Sequence, residues 1–292
     1  MDIFLHKYLK INSDKSIMCL EQLLKRLSLP LYPTPFAFNL HEMDRIFLWR
    51  MRHFARQGTF DMFSKVEIET TTACNRACGY CPNSRYSRER IEMPEELFQQ
   101  VIMDLKDVEY GGVVAPHLYG EPLLDSRLPR LVDFTREKLP DARIWIYTNG
   151  DCLSHETYRE LRERGANQFI VTCHEGGGPA AFLSWFSKVS RGERKGIVYR
   201  KLGSVKANRG GVLQAGYIPM ERCIVPSSNV AINAEGKFLA CCNDYLGEAV
   251  FGDLWEQSVM GIWGSDRYKK FRADARAGKL DLGLCKRCGF SI

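Results

Sequence analysis

The stretch "CNRACGYC", residues 74–81, sets Cys74, Cys78 and Cys81 at C-x3-C-x2-C with no fourth ligand nearby. A closed structural metal site takes four protein ligands, whereas a site that does chemistry keeps one position open. Three thiolates on a 4Fe–4S cube occupy three irons and leave the fourth to a ligand that is not protein. Clusters built for electron transfer are normally held by four cysteines. Two other readings stay open on spacing alone: a three-cysteine zinc site completed by a distant histidine, and three cysteines with unrelated roles.

A second group lies toward the C-terminus. Cys223 and Cys241 are arranged as C-x12-G-x4-C around Gly236, and Cys285 and Cys288 follow as C-x2-C. Four such ligands suit a structural zinc or a closed iron–sulfur cluster. Cys242 is then a spare. The chain has eleven cysteines, an odd number for a disulfide framework, and their grouping points to metal in a reducing, cytoplasmic setting.

The elements that must hold these groups follow from periodicity. A chain of 292 residues with 45% apolar composition has material for about two domains. Its net charge of +6 does not demand nucleic acid but favours an anionic substrate or cofactor. No apolar run is long enough to span a bilayer, and "MDIFLHKYLKINSDK" lacks a small-residue cleavage site, so neither a membrane segment nor a signal peptide is expected. Residues 1–64 read as a helical extension, with one helix in "KSIMCLEQLLKRLS" and another in "HEMDRIFLWRMRHFARQG" stopping at Gly58. The arginines of the second helix are expected to form a solvated stripe.

From residue 65 short apolar strands alternate with amphipathic helices. Strands are expected at "KVEIETT", "VVAPHLYG", "RIWIYTN", "NQFIVTC" and "KGIVYRKL", and helices near "PEELFQQVIMDLKD", "SRLPRLVDFTREKL", "SHETYRELRERG" and "PAAFLSWFSKVS". Non-alternating strands such as "IWIY" are buried on both faces and read as parallel. The fold class is therefore α/β, a partial (β/α)6 TIM-like barrel over 65–215, followed by a small domain over 216–292 that contains a hairpin turning at Glu235-Gly236. In such a barrel the C-terminal strand ends carry the chemistry. Cys152, Cys173 and His174 lie there, and with Cys242 they are the candidate catalytic groups.

The three-cysteine loop, following a strand and with Tyr80 before its last cysteine, resembles the signature of the radical S-adenosylmethionine superfamily. The resemblance implies that the amino and carboxylate groups of S-adenosylmethionine chelate the open iron of a 4Fe–4S cluster, and that reductive cleavage frees a 5′-deoxyadenosyl radical. It implies a place for Tyr80 near the adenine. Gly120, Glu121 and Pro122 of "YGEP" match a Gly-Gly-Glu-Pro segment that contacts the methionyl amine, with Tyr119 in place of the first glycine. Asn149 of "TNG" resembles the family's third-strand ending. In "VTCH", Thr172 and His174 replace the serine and acid of a Ser-x-Asp ending that contacts the ribose. The C-terminal pattern resembles the SPASM and twitch extensions. Its five cysteines fit the shorter twitch form, one auxiliary 4Fe–4S cluster held by Cys223, Cys241, Cys285 and Cys288.

The expected activity is hydrogen abstraction from a small polar metabolite (a sugar, aminocyclitol or nucleoside) in natural-product biosynthesis, completed as a two-electron oxidation with the auxiliary cluster's help. A flavodoxin or ferredoxin is the expected electron donor. The rivals are a redox-neutral epimerase with a cysteine hydrogen donor, sulfur insertion, modification of a ribosomal peptide and, outside catalysis, a zinc-binding module.

Overall fold

The computed structural model describes residues 40–174, 178–201, 207–213 and 217–291. The helix expected in "KSIMCLEQLLKRLS" lies outside them. Five parallel strands, β1 (Lys65–Ile68), β2 (Val113–Ala115), β3 (Arg143–Thr148), β4 (Gln168–Cys173) and β5 (Ile197–Lys201), are neighbours in sequence order. β6 (Tyr217–Pro219) leaves this sheet. A sixth parallel strand, β7 (Asn229–Ile232), joins on the free side of β1, and β8 (Lys237–Leu239) and β9 (Val250–Asp253) continue antiparallel. β10 (Gly289–Ser291) pairs antiparallel with β6.

The position of β7 differs from the expectation that a sixth strand would extend the βα series beyond β5. The hairpin turns as expected, with Gly236 at φ +84 and its N–H donating to the Asn233 carbonyl. Its first strand, however, pairs with β1 over Lys65↔Asn229 to Ile68↔Ile232. The physical reason is the edge: without β7, one side of buried β1 would present bare N–H and C=O groups. A single eight-stranded sheet thus carries both cysteine regions.

Alternation sorts the two faces. Val66, Ile68, Val114, Val230 and Ile232 pack outward against Leu97, Val101 and Leu105 of the helix Glu95–Asp107. Burying side chains of this size contributes roughly 1.5–3 kcal/mol each. Ile144, Ile146, Phe169 and Val171 do the same against the helices Leu128–Lys138, His155–Glu163 and Ala180–Phe186. The opposite face has an apolar lower layer of Val113, Trp145 and Ile170, capped by Ile46 of the helix Leu40–Gln57. Arg52 and Arg56 form the expected exposed stripe of that helix, and Arg50 docks it. Arg50 donates to the Met62 and Phe60 carbonyls and to the Ser64 hydroxyl. Among the described residues no helix is long and apolar enough to cross a membrane.

Candidate active site

The cysteine loop leaves the sheet just past β1 and returns beside it. The Thr72 hydroxyl donates to the Glu89 carbonyl and accepts from Ile91 N–H, and Met93 N–H donates to the Thr70 carbonyl. Between the cysteines the chain is tied to the end of β3. Arg76 Nε donates to Asp151 Oδ2 at 2.6 Å, Asn75 Nδ2 donates to the same oxygen, and Asn149 Nδ2 donates to Asn75 Oδ1 at 2.8 Å. The bonds and charge of Arg76 hold Asp151 below its ordinary pKa. Cys74 is exposed, and Cys78 and Cys81 are half-buried. Asn75, Arg76 and Asp151 were not singled out from sequence, because partners some 75 positions apart leave no local signal.

"YGEP" sits against this loop. Glu121 N–H donates to the Ala73 carbonyl at 2.7 Å. A Cβ on Gly120 would lie 1.9 Å from the Thr71 carbonyl oxygen, so only glycine permits the approach. The Glu121 carboxylate is buried and points to the end of β3. One oxygen accepts from the Thr148 hydroxyl (2.6 Å) and Leu123 N–H, and the other accepts from Asn149 N–H (2.8 Å). Burial pushes its carboxyl up to about 7, against the pull of these donors. Glu121 therefore couples the second strand ending to the third, and Pro122 opens the short 3₁₀ turn that follows.

Two other residues singled out from sequence meet directly. The Tyr80 phenol hydrogen-bonds His174 Nδ1, and the rings stack with centroids 5.7 Å apart. Thr172 accepts from Arg200 Nε at 3.0 Å. The neighbouring Cys173 lies on the other side of the strand, its thiol 3.8 Å from the His174 carbonyl and beside Tyr199. Cys152 is exposed in the turn after β3. The sheet does not bring Cys152, Cys173 and His174 to one point.

The C-terminal thiols form a separate set. Cys241 is buried with Ala240, Ala249, Leu284 and Cys285. Asn243 N–H donates to Cys241 Sγ at 3.4 Å, and Asn243 Nδ2 lies 3.9 Å from Cys288 Sγ. Cys223, whose N–H donates to the Ala275 carbonyl, is within electrostatic reach of Cys241, Cys285 and Cys288. Cys242 turns the opposite way, packing with Tyr119, Leu118 and Ala231 toward Glu67 and Lys65. Both thiols lie in the turn that follows β8.

Both donor sets fit iron–sulfur ligation in kind, being free thiols in groups of three and four. Burial pushes Cys285 up to about 12, and the neighbouring Cys223 and Cys288 thiols add to the rise. Iron must displace those protons. Among the described residues no three Cys, His, Asp or Glu side chains are grouped for a single metal ion.

Above the apolar layer the sheet's inner face turns polar, with Lys65, Glu67, His117, Tyr147 and Arg200. Lys65 Nζ donates to Glu67 Oε1 at 2.5 Å and lies 5.3 Å from the centre of the Tyr147 ring, on which His117 packs at 4.5 Å. Arg209 stands over Tyr119 and within electrostatic reach of Cys81, Cys242 and Glu67. These residues were absent from the candidates read from sequence. The alternation of charge in "KVEIE" was the available signal.

A mainly parallel sheet with helices packed on it, a three-cysteine loop at its strand ends and further free thiols in the C-terminal region define a cysteine-rich protein of the α/β class. The Radical SAM superfamily model matches residues 68–176, and the SPASM iron–sulfur cluster-binding domain matches residues 223–289. The chain belongs to the radical S-adenosylmethionine superfamily, whose members bind S-adenosylmethionine and a 4Fe–4S cluster, and its SPASM region implies auxiliary iron–sulfur binding. It is 36% identical to the S-adenosyl-L-methionine-dependent 2-deoxy-scyllo-inosamine dehydrogenase of Niallia circulans, over 78% of this chain and 93% of that protein. It is 32% identical, over 34% of this chain and 28% of the relative, to a tungsten-containing aldehyde ferredoxin oxidoreductase cofactor-modifying protein of Pyrococcus furiosus. The crystal structure of BtrN in complex with AdoMet and 2-DOIA matches with a TM-score of 0.73 at 36% identity, covering 78% of this chain and 93% of that one. A structure of BtrN in an open conformation matches at 0.63 and 32%, covering 78% and 92%. Family membership displaces the zinc-module reading.

Proposed function

We propose that this chain oxidises a secondary alcohol of a cyclitol or aminocyclitol to a ketone. The observation that carries the reading is 36% identity over 93% of an inosamine dehydrogenase, and Cys223, Cys241, Cys285 and Cys288 are the free thiols we assign to the auxiliary cluster. The likeness to an inosamine dehydrogenase over most of both chains points to the same substrate class. When bound, the groups held by the two thiol sets supply a 5′-deoxyadenosyl radical at Cys74, Cys78 and Cys81 and a one-electron acceptor at the other four. The substrate loses a hydrogen atom from carbon, a proton from its hydroxyl and one electron, and these sum to the two-electron oxidation. Glu121, Asn149 and Asn75 tie together the strand ends where the cofactor would be held, and the Tyr80–His174 pair would border it.

The external reductant enters from outside the barrel. Cys74 borders a cleft of about 490 Å³ that Arg76, Arg88 and Arg90 also line, Arg76 being paired with Asp151 and Arg88 with Glu69, so that Arg90 is the cation this approach offers an acidic flavodoxin or ferredoxin.

One observation favours a second reading. The Cys242 thiol faces the polar inner layer and is pushed up to about 12 by burial, so it stays protonated, as a hydrogen donor in a redox-neutral epimerisation would need. Turnover of 2-deoxy-scyllo-inosamine in heavy water separates the two. Oxidation gives a product two hydrogens lighter, with one 5′-deoxyadenosine for each product. A product of unchanged constitution that has gained one deuterium on carbon would replace the dehydrogenase by the epimerase.

A further inference from the structure

The inner layer contains two buried polar atoms that the protein itself does not satisfy. Glu67 is 5% exposed, and Lys65 engages its Oε1, yet its Oε2 has no hydrogen-bond partner among the described residues. His117 Nε2 is equally buried and unpartnered, 3.9 Å from Glu67 Oε1. A carboxylate kept only to balance Lys65 would gain by using both oxygens, since a bare buried acceptor costs a full desolvation penalty. The placement is fixed by the sheet. Glu67 lies level with Ala115 on β2, and His117 follows two residues later, its own N–H donating to the Ala115 carbonyl.

We propose that Glu67 Oε2 and His117 Nε2 form a two-point subsite for adjacent neutral hydroxyls of the substrate ring, and that a substrate amine lies elsewhere. This inference rests on the cyclitol reading above and specifies how such a ring is held. One hydroxyl donates to the carboxylate, and its neighbour pairs with the imidazole. Two adjacent ring hydroxyls can satisfy both atoms, whereas a lone hydroxyl satisfies only one.

Charge decides between hydroxyl and ammonium. Lys65 already stands 2.5 Å from the same carboxylate, and Lys65, Arg200 and Arg209 all act on His117. A second cation on Glu67 would meet Lys65 across a few ångströms of low-dielectric interior. A hydroxyl adds no charge. Burial lowers His117 to about 4, so it is neutral and able to accept. Burial raises Glu67, but the Lys65 ammonium, with Arg209 behind it, brings it below the ordinary value, so it is ionised.

The test is calorimetric titration of the anaerobically reconstituted full chain, with S-adenosylmethionine present, using scyllo-inositol and 2-deoxy-scyllo-inosamine as probes. Glu67→Gln and His117→Phe are expected to weaken both probes at least tenfold, with iron content and S-adenosylmethionine affinity unchanged. If Glu67→Gln leaves too little folded protein, Lys65→Met/Glu67→Gln removes the pair together and is read the same way. Weakening of the inosamine alone would place its ammonium at Glu67 and overturn the inference. Unchanged affinity for both probes would overturn it while leaving the cyclitol reading intact. An unaltered chain that binds neither probe would overturn both.

Discussion

The Tyr119 phenol donates to the backbone carbonyl of Cys242, a bond between the segment that carries Glu121 and the segment that carries Cys241. Tyr119 is buried, its ring meets Tyr245 edge-on at 4.7 Å, and Asn83 of the cysteine loop bonds both tyrosines. The residue standing where the family has a glycine therefore spans the two thiol sets. Tyr119→Phe keeps the ring and leaves that carbonyl short of a donor. We expect a loss of about 1–2 kcal/mol in urea unfolding of the apo chain. We also expect a changed electron paramagnetic resonance signal for the auxiliary cluster, with that of the three-cysteine cluster unaltered. No change in either measurement would reduce Tyr119 to a space-filling ring.

Glu121 gives a pH-dependent prediction. Its carboxyl is raised to about 7 in the folded chain from an ordinary 4.5, chiefly by burial. The native state then binds the extra proton between those values, so the Glu121 contribution is full below about pH 4.5 and is lost as pH rises through 7. Glu121→Gln does not titrate. The stability of the unaltered apo chain relative to this variant should fall by on the order of 3 kcal/mol between pH 4.5 and 8. A constant difference across that range would show that the carboxyl is not raised.

His117 runs the other way. Burial lowers it to about 4 from 6.5, so its contribution is present above pH 6.5 and lost as pH falls through 4. His117→Phe should make unfolding of the apo chain less sensitive to acid over that window, by equilibrium denaturation at fixed ionic strength. Greater acid sensitivity in the variant would contradict the neutral buried imidazole.

The thiols test oxidation against hydrogen return. Under the dehydrogenase reading, Cys242→Ala keeps product formation and costs about 1 kcal/mol of packing. Cys152→Ala and Cys173→Ala, at an exposed turn and on the sheet's far side, should be near neutral in activity. A Cys242→Ala variant that still makes 5′-deoxyadenosine but no product would make that thiol the hydrogen donor.

The ligand sets were legible because their spacing is local: C-x3-C-x2-C, C-x12-G-x4-C and C-x2-C each lie on one short stretch. The βα rhythm was legible for the same reason, as was the Gly236 turn. What escaped was non-local. β7 was assigned to a separate module because nothing in "NVAI" says which edge it will cover. The Arg76–Asp151 tie, the Tyr119 bridge and the Lys65–Glu67–His117 layer all join residues from different strands. Cys241 and Cys242 show the middle case: spacing from Gly236 pointed to Cys241, and the turn after β8 sends the two thiols into different clusters.

The central claim is that the substrate's electron leaves through the group held by the four C-terminal thiols. Its most direct test is the Cys223→Ala/Cys285→Ala/Cys288→Ala variant, which should keep the three-cysteine cluster and roughly half of the iron. Given 2-deoxy-scyllo-inosamine deuterated on its ring carbons, the variant should still move deuterium into 5′-deoxyadenosine while no ketone accumulates. Ketone formed at the yield of the unaltered chain would contradict the account.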